Sequence, residues 1–144
     1  MGYKNLVGAF YPPKKVVIDS NTLKTLDVRQ KMAGLCEGIK MAVSMNKALF
    51  EKIEASANLD GDIDEIIIES LKLKKNVVEL DPHERGLRRV LNYGHTIGHA
   101  IEINSNFEIS HGSAVAIGMI IASKGAYKMG YCDTDISGDI KEVL

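Results

Sequence analysis

A run of polar side chains in the second half of the chain has types and spacing suited to chemistry. At steps of four, three, four and three residues stand Arg88, Asn92, His95, His99 and Glu102. On an α-helix, such steps keep side chains on one face. A guanidinium, an amide, two imidazoles and a carboxylate are groups that bind metals and anions and transfer protons. The spacing therefore predicts a single helix with a reactive face.

Two glycines interrupt this predicted helix, which we place over about residues 87–103. Gly94 and Gly98 stand four residues apart, away from the polar face. In a helix interior each glycine costs about 1 kcal/mol relative to alanine. The pattern predicts that another segment packs closely against the helix backbone at these two positions.

The histidines could hold a metal ion. His95 and His99 have the i, i+4 spacing of two-histidine metal sites. Such a pair alone is more typical of ordinary histidines with hydrogen-bond partners. His111, at the start of a predicted helix, and Glu37 are further candidate ligands. A catalytic zinc takes three protein ligands and leaves one position open, and the residues leave open which three of these four bind.

Two lysines share predicted helix faces with other polar groups. Lys40 follows Glu37 by three residues, which is also the spacing of an ordinary surface ion pair. Lys74 lies near Ser70 among isoleucines, where its stem could be buried while the ammonium reaches water. Each lysine can therefore be interpreted either as an ordinary structural residue or as a residue that binds substrate.

Arginine and asparagine at the start of the reactive run suit an anion. Arg88 with Asn92 could hold a carboxylate or a phosphate, because guanidinium donors match such oxygens in pairs. The alternative is a salt bridge from Arg88 to Glu84 or Asp81. The sequence contains no Gly-rich phosphate cradle and no dinucleotide fingerprint. A metal site beside cations points to a small, anionic, oxygen-rich substrate.

Composition restricts the class of protein. The chain has 144 residues, 45% apolar and 26% charged, with a net charge of −1. These values are ordinary for one globular domain, and they give no electrostatic case for nucleic acid or an anionic membrane. The two cysteines are too few for a disulfide scaffold. Without a signal peptide or a membrane-spanning apolar run, we expect a cytoplasmic protein.

The chain is predicted to be mainly helical. One strand is predicted over Lys15–Asp19, and a lone strand needs a sheet. A capping box of Asp62 and Glu65 is predicted to open the third helix. Helices are predicted over about 29–44, 47–55, 63–78, 87–103 and 113–129. We therefore expect residues 1–20 to form a linker with an orphan strand, residues 21–144 to form a helical body, and the chain to be truncated at both ends.

Several motifs together resemble the helical C-terminal domain of the 3-dehydroquinate synthase family. They are Lys4-Asn5-Leu-Val-Gly-Ala-Phe-Tyr11, Ala33-Gly-Leu-Cys-Glu37-Gly-Ile-Lys40, Lys74 with Val77-Val78, Glu84-Arg-Gly-Leu-Arg88, Leu91-Asn92-Tyr-Gly-His95-Thr-Ile-Gly-His99-Ala-Ile-Glu102 and His111-Gly-Ser-Ala-Val-Ala-Ile-Gly-Met119. Their order and spacing agree over nearly the whole chain. The Asn-x-Gly-His-x-x-Gly-His block followed by His-Gly-x-Ala-Val is the most specific signal.

The resemblance implies a role for each matching residue. It makes Glu37, His95 and His111 the ligands of zinc, or of cobalt, which suits the same donors. It makes His99 a proton-transfer residue and Glu84 a second acid or base. Substrate contacts are implied for Asn5, Lys40, Lys74, Arg88 and Asn92, of which Lys40 and Arg88 also count as catalytic. Contacts with NAD are implied for Lys4, Thr22 and Thr25.

The resemblance also implies a reaction and partners. Enzymes of this family use NAD and a metal to convert 3-deoxy-arabino-heptulosonate 7-phosphate into 3-dehydroquinate and phosphate, in the shikimate pathway to aromatic amino acids. An N-terminal nucleotide-binding domain and a homodimer are then expected partners, and the chain alone is expected to be inactive. Two alternatives stay open. One is a related NAD-dependent cyclase of the 2-deoxy-scyllo-inosose or 2-epi-5-epi-valiolone synthase type, and the other is a non-catalytic, metal-binding helical domain.

The sequence departs from the family pattern at a few positions. Cys36 and Gly38 flank Glu37 where alanine and a branched residue are usual. Pro12 stands in place of glutamine, and Ser113 stands in place of the frequent glutamate. These departures leave the class of chemistry intact and bear on the identity of the substrate.

Overall fold

The protein is mainly helical, as predicted. The computed structural model describes residues 7–9, 11 and 13–144, with the backbone alone for Asp60. Two 3-10 helices span Ser20–Thr25 and Leu87–Asn92. The six α-helices are α1 (Val28–Met45), α2 (Lys47–Ala55), α3 (Leu59–Leu80), α4 (His95–Asn104), α5 (His111–Lys128) and α6 (Ser137–Val143). None of these helices has the length and apolar character needed to cross a bilayer.

The predicted strand over Lys15–Asp19 is wrong. These residues form no regular structure, and the described part of the chain contains no strand. Val16 and Val17 are 68% and 77% exposed. A strand exists only through hydrogen bonds to a neighbouring strand, and among the described residues no such neighbour is present. The short apolar run over residues 16–18 therefore has no sheet to join among the described residues.

The start of α3 also differs from the prediction. The helix begins at Leu59, where the side chain of Asn58 accepts a hydrogen bond from the Gly61 amide. The predicted capping box is wrong, because Asp62 instead accepts from the Ser56 hydroxyl at 2.6 Å and Glu65 pairs with Lys52. An asparagine earlier in the chain already satisfies the first amides of the helix.

The predicted single helix over 87–103 is wrong as well, because it is broken in the middle. The 3-10 helix Leu87–Asn92 ends at Tyr93, and Gly94 has a φ of 77° before α4 begins at His95. A left-handed residue cannot lie inside a right-handed helix, and glycine adopts it without a steric penalty. Arg88 and Asn92 consequently belong to a different element from the histidines.

Close packing at the glycines is confirmed, and the neighbour is α5. A Cβ on Gly98 would lie 3.1 Å from the backbone of Val115, and one on Gly94 would lie 2.7 Å from the Val115 carbonyl oxygen. From the opposite side, a Cβ on Gly118 would lie 2.1 Å from the Gly94 carbonyl oxygen. Three glycines thus let α4 and α5 pack backbone against backbone, which sets the distance between His95 and His111.

The apolar core holds α1 against both halves of the molecule. Leu35, Ile39 and Ala42 of α1 pack with residues of α2 and α3. A second cluster joins Val115 and Met119 of α5 with residues of α6. At the start of α5, a Cβ on Gly112 would lie 2.1 Å from the Ala33 carbonyl oxygen. This contact brings α1, and with it Glu37, close to the first residue of α5.

Candidate functional site

Three side chains from three helices converge on one point. Glu37 comes from the middle of α1, while His95 and His111 are the first residues of α4 and α5. The Glu37 Oε1 atom lies 3.7 Å from His95 Nε2 and 3.6 Å from His111 Nε2. One ligand atom from each of the three lies within 4.8 Å of the other two.

Both histidines are oriented by their other ring nitrogen. His95 Nδ1 lies 3.2 Å from the Tyr93 carbonyl oxygen, and His111 Nδ1 lies 2.9 Å from Glu102 Oε2. Because a carbonyl and a carboxylate oxygen only accept hydrogen bonds, each Nδ1 carries the proton. In the neutral ring, each Nε2 keeps its lone pair and lies next to Glu37 Oε1, which is the arrangement that metal-binding histidines use.

The two oxygens of the Glu37 carboxylate have different surroundings. Oε2 accepts a hydrogen bond from Lys40 Nζ at 2.6 Å, and the Lys40 side chain is only 5% exposed. Oε1 is buried and has no hydrogen-bond partner among the described residues. A buried carboxylate oxygen without a partner costs free energy. Since it faces two imidazole lone pairs, its position fits a shared cation.

The distances suit a small divalent metal ion. Metal–ligand bonds of about 2.0–2.1 Å in a tetrahedron put ligand atoms about 3.3 Å apart. The two measured separations from Glu37 Oε1, 3.6 and 3.7 Å, are close to that value. Two imidazoles and a carboxylate are a donor set that zinc and cobalt share, and three protein ligands leave a position open.

Burial favours the form of His95 that can bind a metal. Desolvation lowers the pKa of His95, the hydrogen bond to the Tyr93 carbonyl raises it, and the positive charge of Lys40 lowers it again. The net direction is downwards from the usual value. His95 is therefore neutral at neutral pH, which is the state a metal requires.

His99 lies beside this cluster and not within it. Its ring centroid is 5.4 Å from that of His95 and 5.8 Å from that of His111. It shares a second group of possible donors with Glu102 and His111, again within 4.8 Å of one another. Of the four candidate ligands, Glu37, His95 and His111 therefore form one group, and His99 is not part of it.

A cavity of about 520 Å³ adjoins the cluster, between α1, α3 and the second 3-10 helix. Its apolar wall includes Leu35, Ile66 and Leu91. The polar and charged side chains that line it include Glu37, Lys40, Ser70, Lys74, Glu84, Arg88, Asn92 and His95. All described residues for which substrate contacts are predicted thus lie on this one cavity, together with two of the candidate metal ligands.

A turn at the cavity edge presents Arg88 and Glu84. The Asp81 carboxylate accepts hydrogen bonds from the backbone amides of Arg85, Gly86 and Arg88, and these bonds lower the pKa of Asp81. Asp81 therefore organises the turn through backbone amides and makes no salt bridge with the arginine, whose Nη1 donates to the Pro82 carbonyl at 3.0 Å.

Glu84 is fixed in the same turn. Its φ is 55°, an uncommon value for a residue with a side chain. Its Oε1 accepts a hydrogen bond from Asn92 Nδ2 at 2.6 Å. Glu84 and Asn92 consequently form one hydrogen-bonded pair on the cavity wall.

Of the residues predicted to contact NAD, Thr22 and Thr25 do not line the cavity. Lys4, and Asn5 among the predicted substrate contacts, lie outside the described residues. The hydroxyls of Thr22 and Thr25 are exposed and donate to backbone carbonyls at the start of their own 3-10 helix. Leu23, between them, does line the cavity.

Two groups that orient the histidines have no role predicted from the sequence. Glu102 belongs to the predicted reactive face, and its spacing of seven residues from His95 is the available signal. The Tyr93 carbonyl leaves no signal, because any residue supplies a carbonyl oxygen. The Tyr93 hydroxyl is hydrogen-bonded to Ser123 and to the Met119 carbonyl, which fixes the backbone just before His95.

Comparisons with known proteins agree on one family. Residues 34–144 match the family model described as 3-dehydroquinate synthase C-terminal, and residues 1–33 match the one described as 3-dehydroquinate synthase N-terminal. The 3-dehydroquinate synthases of Dictyoglomus thermophilum and Crocosphaera subtropica are each 46% identical to this chain over 98% of its length. The 3-dehydroquinate synthase of Rippkaea orientalis is 50% identical over 88% of the chain.

The aligned parts cover 41%, 41% and 37% of these three relatives. The chain therefore spans about two fifths of the length of the curated relatives that it matches. With the C-terminal family model matched over most of its residues, the chain belongs to the 3-dehydroquinate synthase family.

Proposed function

We propose that this chain is the metal- and substrate-binding part of a 3-dehydroquinate synthase. The reaction would be the conversion of 3-deoxy-arabino-heptulosonate 7-phosphate into 3-dehydroquinate and phosphate. One observation carries the proposal: the unpartnered Glu37 Oε1 faces the Nε2 atoms of two imidazoles at the wall of a cavity that is also lined by Lys31, Lys40, Lys74 and Arg88. The family relationship supplies the reaction that such a cavity would serve.

The proposed metal ligands are Glu37, His95 and His111, and the ion is zinc or cobalt. When bound, such an ion would polarise hydroxyl and carbonyl oxygens of the substrate. The chain prepares for it by turning each Nδ1 towards an oxygen acceptor, so that Nε2 faces Glu37, and by holding the second Glu37 oxygen with Lys40. The ligands are therefore arranged before the ion arrives.

The cationic side chains on the cavity would bind the anionic groups of the substrate. Lys40, Lys74 and Arg88 place three positive charges around one space. Guanidinium and ammonium donors suit carboxylate and phosphate oxygens. Asn92, held by Glu84, would add an amide contact. Such preorganised donors also stabilise the charge that develops on a departing phosphate.

Proton transfer is assigned to His99 and Glu84. His99 does not line the cavity, but its exposed imidazole lies beside both proposed histidine ligands, where it would exchange a proton with a substrate hydroxyl bound at the metal centre. Glu84 lines the cavity and is the second candidate acid or base. Lys40 and Arg88 would act on the same substrate through their charges.

The remaining parts of the proposal concern NAD and partners. Lys4, Thr22 and Thr25 would help to hold NAD, which when bound would supply reversible hydride transfer to the reaction. A nucleotide-binding domain and a homodimer would complete the enzyme. The three relatives all carry the name 3-dehydroquinate synthase, so no specific observation favours the alternative cyclases or a non-catalytic domain.

Zinc titration by calorimetry tests the proposed metal centre. The chain should bind one ion. Loss of a residue that only orients a metal ligand weakens binding by roughly 10–100-fold, and His95→Ala, which removes a proposed ligand itself, should weaken it by more. His83→Ala is the matched control, because His83 is exposed and lies outside the cluster. Equal affinities in the two variants, or no binding by a folded chain, would contradict the assignment.

A second test concerns activity. We expect the purified chain, supplied with NAD, zinc and 3-deoxy-arabino-heptulosonate 7-phosphate, to release no phosphate above background. Adding the nucleotide-binding domain of a relative as a separate polypeptide should give measurable release. Robust turnover by the chain alone would show that the 144 residues already contain everything the reaction needs.

A further inference from the structure

Glu102 is a buried carboxylate beside the metal centre to which no role in the reaction is assigned. It lies in the last part of α4, its side chain is 6% exposed, and its Oε2 accepts a hydrogen bond from His111 Nδ1 at 2.9 Å. We infer that Glu102 is a positioning residue, which fixes the tautomer and the ring orientation of His111 so that Nε2 faces Glu37. The inference rests on the proposed metal centre.

The distance separates this role from direct metal binding. Glu102, His99 and His111 form a second group of possible donors. The Glu102 Oε2 and His111 Nδ1 atoms are 2.9 Å apart, and an Nδ1 that donates its proton to this carboxylate has no lone pair for a metal. That separation is normal for a charge-assisted hydrogen bond. Glu102 therefore holds His111 and does not compete with it for a metal.

His111 needs such a partner more than His95 does. The His111 side chain is 42% exposed, while that of His95 is 16% exposed. The terminal torsion of histidine is broad, so packing alone leaves an exposed ring free to turn and to exchange its two nitrogens. Because Glu102 is buried, water screens its attraction for the ring less than at an exposed site. The hydrogen bond then selects one orientation.

The placement of Glu102 also links two helices at the metal centre. α4 carries His95 at its first residue and Glu102 two turns later, and α5 carries His111 at its first residue. The same helix thus supplies one proposed ligand directly and orients a second ligand that belongs to its neighbour. Any shift of α4 along α5 would therefore move both proposed imidazole ligands relative to Glu37.

The tautomer of His111 can be read without a metal. Long-range nitrogen–proton correlation spectra of the metal-free chain at about pH 8, where histidine is neutral, should show the His111 proton on Nδ1. Glu102→Leu should remove this preference and weaken zinc binding by about 10–100-fold. Glu102→Gln keeps an oxygen acceptor and should restore most of both properties. Glu108→Leu, on an exposed residue of the next loop, is the control.

The outcomes separate this inference from the proposed function. A His111 proton on Nε2 in the unmutated chain would overturn the inference even if no variant folded. Unchanged zinc affinity and tautomer in a folded Glu102→Leu chain would also overturn it. If the unmutated chain bound no zinc but kept the Nδ1 proton, the positioning role would stand and the proposed metal centre would fall.

Discussion

Alanine substitutions at three glycines should have very different effects on stability. Gly118 and Gly125 lie on α5 and Gly98 lies on α4, so all three are helical. In an open position, alanine stabilises a helix by about 1 kcal/mol relative to glycine. No atom lies within 4 Å of a Cβ at Gly125. Gly125→Ala should therefore raise the free energy of unfolding by up to about 1 kcal/mol.

The same methyl group has no space at the other two positions. At Gly118 it would lie 2.1 Å from the Gly94 carbonyl oxygen, and at Gly98 it would lie 3.1 Å from Val115. Overpacking costs about 1–3 kcal/mol and sometimes more. Subtracting the helix gain leaves a net loss of about 2 kcal/mol or more for Gly118→Ala. For Gly98→Ala, with the lesser overlap, the net loss is about 0–1 kcal/mol.

Urea unfolding followed by circular dichroism would measure the series, with zinc affinity as a second reading. Gly118→Ala should also weaken zinc binding, because separating α4 from α5 moves His95 away from His111. Gly125→Ala should leave zinc affinity unchanged. If Gly118→Ala were as stable as Gly125→Ala, the backbone-to-backbone packing of α4 on α5 would be wrong, and with it the basis for the position of the histidines.

Two further predictions concern anion binding and acid stability. Lys74→Met should weaken the binding of inorganic phosphate, measured by calorimetry, by about threefold to tenfold. Lys75→Met should leave it unchanged, because Lys75 does not line the cavity and pairs with a glutamate on its own helix. Equal effects of the two substitutions would place the phosphate elsewhere. Asp135 has a pKa lowered to about 2, first by Lys124 and then by Ser137. A lowered pKa in the folded state adds stability that is present above about pH 4 and is lost as the pH falls through about 2. The difference in unfolding free energy between the unmutated chain and Asp135→Asn should therefore shrink over that pH range. A difference that stays constant would refute the link between this pKa and stability.

Periodicity predicts most of the helices because their buried faces are regular. The predicted second helix has the observed bounds, Lys47–Ala55, since Asn46 gives a clear cap and its side chain accepts from the Leu49 amide. The predicted close approach at Gly94 and Gly98 is confirmed, because a glycine that interrupts a helical pattern usually has a packing reason. Local sequence is therefore sufficient for α2, whereas at α3 the predicted cap, Asp62, lies beyond the observed cap, Asn58.

The sequence-based predictions fail where the structure depends on a residue distant in the sequence or on a backbone group. A pattern of apolar residues over 15–19 cannot reveal whether a partner strand is present. The two orientations of a histidine ring look alike in sequence, so the choice among the four candidate ligands could not be made from spacing. It depends on the Tyr93 carbonyl and on Glu102, which lies nine residues before His111 in the chain and next to it in the fold.

The break at Gly94 divides the polar run from Arg88 to Glu102 between two elements, the 3-10 helix and α4. In one continuous helix, Arg88 and Glu102 would stand about 21 Å apart along the axis of a single element. The left-handed turn lets the 3-10 helix carry Arg88 and Asn92 along one wall of the cavity while α4 starts afresh with His95 facing Glu37. Anion-binding groups of the 3-10 helix and His95 of the metal cluster thereby meet at one cavity, while His99 and Glu102 follow on α4 beside His111.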